Sequence, residues 1–406
     1  MTLVAAPPRH VVLTSWRGEA LAGGTHQGTE LVDGCLLLAE PAGTLVYEDP
    51  YAGERHARRY EWAAWVSPEV DLSFGATAVV PSWNGETPGD SWLIVEARTA
   101  TTVDGVRRWS PWFTLARWAD TDREIHATSV PGQGDASTRV DTDMHEAASG
   151  GWSTAQVRVG LGRRVGSTAR PRVSMVSLLA SAVPDEAPDE VSSGGVAWGV
   201  ELDVPPYSQQ VHRDEFMHWD NGGRSWCSPT TTSMLMAFHD RLPQPADYVW
   251  VGEQFADPFV VQAARRVFDH AYGGAGNWAF NMAYAARHGL SAFVTRLRSL
   301  TEAERLVAAG IPLGATVSFP EDGGLTGAGY GTEGHLLTIV GFTANGDVIC
   351  NDPASHRIPS NDEVRVVYDR AEFERFWLGS SGGIVYVVHP ADVPLPEAPD
   401  PAEPNW

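Results

Sequence analysis

The stretch EGHLLTIVGFTANGDVICNDPA, residues Glu333–Ala354, holds two apolar runs separated by Asn345-Gly346. Asn-Gly marks a hairpin turn, so the runs read as paired antiparallel strands. The register has a chemical consequence. If Phe342 or Thr343 opens the turn and Asp347 or Val348 resumes the ladder, residues near His335 lie opposite residues a little beyond Asp352. An imidazole and a carboxylate become neighbours, the geometry that orients a histidine base. Asn351-Asp352-Pro353 also has a purely local reading, since an Asp before Pro favours an Asx turn.

Further strand patterns surround the hairpin: IPLGATVSF, EVRVVYD and GGIVYVVHP. Helical patterns come before them. SPTTTSMLMAFHD places Pro229 in a first turn and Ser233, Met234, Ala237 and Phe238 at helical spacings. In SLTEAERLVAAG, Thr301 and Glu304 have capping-box spacing and Gly310 supplies the stop. Helices followed by an antiparallel sheet predict an α+β domain over 196–390.

Residues 1–181 read differently. DSWLIVEARTATT, RRWSPWFTLARWA, AQVRVGLGR and RPRVSMVSLLAS are short runs bounded by turn residues, and Val157, Val159 and Leu161 alternate with Arg158 and Gly160. These features predict an all-β sandwich or jelly-roll-like domain. Residues 182–195, acidic and rich in Pro, Ser and Gly, read as a linker, and 391–406 as a Pro-rich acidic tail with too little apolar surface to pack.

Composition narrows the function classes. The chain has 406 residues, 43% of them hydrophobic, enough for two cores. A net charge of -22 repels phosphate backbones and anionic membrane surfaces, so a nucleic-acid partner is not expected. No apolar run is long enough to span a membrane, and MTLVAAPPRHVVLTSW lacks the pattern of a signal peptide. Localisation stays open between a protein that remains inside and a mature form without its leader. Cys35, Cys227 and Cys350 lie far apart, which excludes a CxxC motif and leaves a Cys35–Cys350 bridge as the minor reading.

Cys227 stands where loop changes to helix, in GGRSWCSPTTTSMLM. A helix N-terminus carries partial positive charge and unpaired N–H groups, which stabilise a thiolate and can receive an oxyanion. His335 is the candidate base and Asp352 its orienting carboxylate; upstream, Gln209 or Gln210 in VPPYSQQVHRDEF offers a further oxyanion donor. The bland reading of Cys227 is a buried structural thiol. His212, His218 and Asp220 show no zinc spacing, and no metal or organic cofactor is expected. Asp135, Asp141 and Asp143 read as a solvated turn in preference to a calcium loop. Of the tryptophans Trp62, Trp65, Trp83, Trp92, Trp109, Trp112 and Trp118, most read as core, and Trp83, in the turn-like PSWNGETPGDS, as the exposed one.

DVPPYSQ, WCSPTTTSM, GHLLTIVGF and NDPA, taken in that order, resemble the peptidase C39-like cysteine peptidases, in the subgroup with a β-rich N-terminal half. The resemblance covers Val204 to His389 and implies a papain-like fold with Cys227 as nucleophile, His335 as base, Asp352 as orienting carboxylate and Gln209 as the oxyanion glutamine. Ser228 departs from it, standing where the family carries glycine, and its side chain is expected to narrow the acyl pocket or touch substrate. The expected function is a cysteine peptidase or amidohydrolase acting through a thioester on a peptide or peptide-like, possibly cell-wall-associated, substrate. Acyl transfer or transpeptidation on the same residues is the alternative, and a non-catalytic glycan- or protein-binding protein is the third reading. Oligomeric state is not read.

Overall fold

The computed structural model describes residues 7–406; residues 1–6, which open the expected first domain and the segment read for a leader, lie outside the described residues. The chain divides into two compact units. One comprises Val12–Ala182 with Arg266–Arg287; the other comprises the chain as far as Val11, Val183–Arg265 and His288–Trp406.

The first unit is β-rich, with a seven-stranded and an eight-stranded sheet among the described residues. At the centre of the larger sheet, Trp152–Arg164 pairs antiparallel with Ser91–Val103 on one side and Arg58–Val66 on the other. Its alternation works as read: Val157, Val159 and Leu161 are buried, while Arg158 reaches Glu96 and lies over the Trp112 ring. In the other sheet Arg172–Ala182 pairs with Ala78–Glu86.

Two local expectations fail in this unit. Trp83 is not exposed: it is fully buried in the strand Ala78–Glu86, against Trp118 and Phe280. In that turn-like stretch, Asn84 and Gly85 lie opposite a register shift in Arg172–Ala182, where a Cβ on Gly85 would come within 3.0 Å of Arg172 O. Its glycine serves a close approach at a bulge. Asp143, expected in a solvated turn, is buried and accepts the Trp278 N–H, capping the helix Trp278–Arg287. Burial pushes its carboxyl up to about 7. Arg266–Arg287 thus joins the β-rich unit, although its sequence position falls within 196–390.

The second unit is mixed α/β. Its six strands, β1 (Ser291–Arg296), β2 (Leu313–Phe319), β3 (Thr332–Phe342), β4 (Val348–Asn351), β5 (Arg365–Tyr368) and β6 (Ile384–His389), pair in the order β1-β6-β2-β3-β4-β5. Every ladder is antiparallel. Helix α1 (Cys227–Phe238) packs on β3, and α2 (Leu300–Ala308) and α3 (Arg370–Ser380) contact β2. The cap of α2 lies two residues before the expected position. Ser299 accepts the Glu302 N–H, while Glu304 is fully buried, accepting from Val196 N, Ala197 N and Trp198 Nε1 and pairing with Arg370.

Specific polar bonds of the same kind hold the acidic segments. Ser192 N donates to Glu374 Oε2, and Gly194 N donates to Thr301 Oγ1. At the far end, Asn405 is fully buried and its amide donates to Arg296 O and Glu302 Oε2. Counting apolar surface misses such anchors, because a charge-assisted bond to a buried carboxylate holds backbone with little apolar contact. Asn405→Ala is expected to lower stability by about 1–3 kcal/mol, measured as a shift in urea midpoint, with the exposed Glu397→Ala unchanged. Equal midpoints for the two variants would mean that the tail is not anchored.

Candidate active site

The approach to α1 is set by close backbone packing. A Cβ on Gly222 would lie 2.0 Å from Glu215 O and one on Gly223 2.1 Å from Gln209 O, so only glycine fits at either position. Trp226 caps the helix, buried, with Nε1 donating to Trp219 O at 2.7 Å. Cys227 and Ser228 are the first two helical residues, and their N–H groups precede any intrahelical acceptor. Pro229 has no N–H, and the ladder begins with Thr230 N donating to Trp226 O. Two N–H groups in the turn that carries the thiol therefore have no acceptor within the helix, Ser228 being itself fully buried.

Ser228 does not line a pocket. Its side chain is fully buried and hydrogen-bonded to the Tyr386 hydroxyl at 2.8 Å, which overturns the expectation that it narrows the acyl site. Thr231 Oγ1 donates to Leu336 O, one residue from His335. These two bonds tie the start of α1 to β6 and β3.

The hairpin places its residues as the register suggested. Thr338 pairs with Asn351, so His335 lies past the end of the β3–β4 ladder and Asp352 follows its last residue. His335 Nε2 meets Asp352 Oδ1 at 2.8 Å, leaving Nδ1 for the Cys227 thiol, which is within hydrogen-bonding reach of the ring. Asp352 Oδ1 also accepts the Ala354 N–H at 2.9 Å, so the Asx turn and the histidine contact share one oxygen.

Asp352 Oδ2 takes two phenols, Tyr330 at 2.7 Å and Tyr368 at 2.6 Å. Sequence reading missed both residues. Tyr368 lay unremarked in a strand, and Tyr330 sits in a loop, Pro320–Gly331, with no period to read. The available signal was chemical: a buried tyrosine needs an acceptor for its hydroxyl.

The electrostatics follow from burial and pairing. Burial alone pushes the His335 imidazole down, but the charge and hydrogen bond of Asp352, with the bond to Cys227, hold it up at about 10 against an ordinary 6.5. Burial pushes the Asp352 carboxyl up, yet His335 and the hydroxyls of Tyr368 and Tyr330 keep it below its ordinary range. An imidazolium opposite a carboxylate is the stable pairing here.

Gln209 is buried, and its Nε2 donates to Gly223 O at 2.9 Å and Arg224 O at 3.1 Å. Both amide hydrogens are spent holding the backbone that leads to Cys227, so an oxyanion contact from Gln209 requires one of those bonds to exchange. Gln210 contributes its backbone, donating N–H to Ser208 Oγ. His212 bonds Glu215, and His218 stacks on Trp219. Among the described residues no group of three His, Cys, Asp or Glu side chains is placed to hold a metal ion. All three cysteines are free.

Residues 12–181 match the family model of the Peptidase C39 N-terminal domain, and residues 201–384 match that of the Peptidase_C39 like family. No curated protein matches the chain. Among solved structures, it is similar to "Peanut lectin with 9mer peptide (PVIWSSATG)" at 10% identity and TM-score 0.22, covering 43% of this chain and 99% of that one. It is also similar to "Crystal structure of Agl-KA catalytic domain" at 14% identity and TM-score 0.14, covering 48% and 32%. Likeness this slight bears on neither fold nor function. The two family matches adjoin across most of the chain, which belongs to the peptidase C39-like family and carries that family's N-terminal domain.

The His335 proton is expected to persist far above the range of an ordinary histidine. Because its folded value is raised, its contribution to stability is complete below about 6.5 and is lost as pH rises toward about 10. Asp352→Asn removes the partner and leaves burial, which acts downward, so the His335 titration followed by NMR should fall by several units. A titration near 10 in the variant would show that Asp352 does not hold the proton.

Proposed function

We propose that this member of the peptidase C39-like family is a cysteine peptidase-type hydrolase that cleaves a peptide or peptide-like amide bond through Cys227. The observation that carries the reading is the line from thiol to carboxylate: Cys227 at a helix start, His335 within its reach, and His335 Nε2 bonded to the fully buried Asp352. Support also comes from the scaffold, which we read as papain-like, beside a β-rich unit read as a sandwich.

The chemistry follows from these positions. In the reactive pair the proton of Cys227 already lies on His335 Nδ1, so a thiolate faces an imidazolium whose Nε2–H keeps its bond to Asp352. The thiolate attacks the amide carbonyl carbon, and the resulting oxyanion is received by the N–H groups of Cys227 and Ser228 at the positive end of α1. Collapse breaks the C–N bond, His335 Nδ1 gives its proton to the leaving amine, and a thioester remains on Sγ. Water, losing a proton to Nδ1, attacks the thioester carbonyl carbon; the C–S bond breaks, the acyl group leaves as a carboxylic acid, and the Cys227 thiolate and His335 imidazolium are restored. Gln209 contributes by fixing Gly223 and Arg224 ahead of the nucleophile.

Iodoacetamide at neutral pH should alkylate Cys227 at least about tenfold faster than Cys35, since an activated thiolate is the reactive species. Cys350 should stay unlabelled in the folded protein, being fully buried with its thiol pushed well above its ordinary range by burial. Cys227→Ala should abolish the fast labelling. If Cys35 or Cys350 reacts first, Cys227 is not the nucleophile. With a peptide library, mass spectrometry of products with and without added amine separates hydrolysis from acyl transfer.

A further inference from the structure

His335 uses only one oxygen of Asp352; the other carries two phenols and nothing in the reaction accounts for them. We infer that Tyr330 and Tyr368 are positioning residues of the site: their hydroxyls hold Asp352 as a carboxylate with Oδ1 aimed at His335 Nε2, and so orient the imidazole toward Cys227. The inference rests on the reading of Cys227 and His335 above and deepens it.

The first ground is satisfaction of a buried charge. Asp352 is fully buried, and a carboxylate out of water must have its lone pairs occupied or take a proton. Oδ1 is filled by His335 Nε2 and Ala354 N. Without the phenols, Oδ2 would lose both of its recorded partners. Two short donors at 2.6 and 2.7 Å fill it, leaving no further position on Oδ2 toward which the carboxylate could rotate.

The second ground is that the donors cannot easily ionise. Burial and then the Asp352 charge push both phenols above their ordinary value, Tyr330 well above it. They remain O–H donors wherever Asp352 is charged. The other titratable or charged groups around Asp352 are Cys227 from α1, His335 from β3, Cys350 from β4 and Arg365 from β5, with Arg357 over the Tyr330 ring.

The third ground is the supports. Tyr368 ends β5 opposite Val348 of β4, so the sheet fixes it. Tyr330 arrives on the loop Pro320–Gly331, and its ring stands edge-on to His335 with centroids 5.6 Å apart and planes at 80°. It therefore touches both members of the pair. The loop reaches this position through Gly323, Gly327 and Gly329, all at positive φ. A Cβ at Gly329 would lie 2.6 Å from His356 Nδ1. Tyr330 is delivered only when that loop is seated.

The test follows the His335 Nε2–H resonance of the full-length protein by NMR, assigned by its absence in His335→Gln, while pH is lowered. Each phenol stabilises the charged form of Asp352, so Tyr330→Phe and Tyr368→Phe should each move the loss of this resonance upward by about one pH unit, the double variant further. Gly329→Ala should move it in the same direction. Thermal melting of each variant is the control, because a purely structural role lowers Tm without moving the pH of loss. If both phenylalanine variants lose the resonance at the wild-type pH, the inference is overturned; if only Gly329→Ala fails to move it, the role of the loop is overturned. The readout needs no substrate, so a Cys227 slow to alkylate would remove the proposed function while leaving this result standing.

Discussion

One carboxylate organises the second unit's chemistry. Asp352 has no exposure to solvent and accepts four hydrogen bonds, from His335, Ala354, Tyr330 and Tyr368. Those donors come from β3, from the turn after β4, from a long loop and from β5, so satisfying one charge fixes four segments relative to one another. An unpaired buried charge is strongly destabilising, and that penalty makes the arrangement close to all-or-none. The same constraint produces the electrostatics: against their own burial, Asp352 is held below its ordinary range first by His335 and then by the two phenols, and His335 is raised chiefly by Asp352.

How much of this was legible in the sequence depended on whether the signal was local. The Asn345-Gly346 turn between two apolar runs pointed to the hairpin register, and with it to the meeting of His335 and Asp352. Cys227 at a helix start was equally local, since Pro229 and the apolar spacing after it mark the first turn. The phenols were not legible, because nothing near Tyr330 or Tyr368 in the chain points to residue 352. A hydroxyl's acceptor is a tertiary fact.

The misreadings have a common cause. The turn-like PSWNGETPGDS runs as strand as far as Glu86, with Ser174 of the partner strand the extra residue of a bulge opposite Asn84 and Gly85; the acidic 182–195 and 391–406, expected to have too little apolar surface to pack, are held by Glu374 and Thr301 and by Glu302 and Arg296. Asp143 was read as solvated and caps a helix from far along the chain. In each case composition was used where a specific partner decided the outcome. Polar residues in such segments are ambiguous until their partners are known, because a buried carboxylate can anchor as much backbone as an apolar side chain can.

Ser228 shows the same logic at the start of α1. At the second helical position the Tyr386 hydroxyl holds the Ser228 side chain in the core, so the whole residue is buried behind the half-buried Cys227. Gln209, spending both amide hydrogens on Gly223 and Arg224, holds the preceding backbone in place. In the reaction proposed above, main-chain donors on backbone fixed in this way would need no reorganisation when negative charge develops, which is the condition under which electrostatic stabilisation of an oxyanion is most effective. The turn from Gly223 to Pro229 is therefore held by specific bonds on both sides of Cys227, from Gln209 before it and Tyr386 after it.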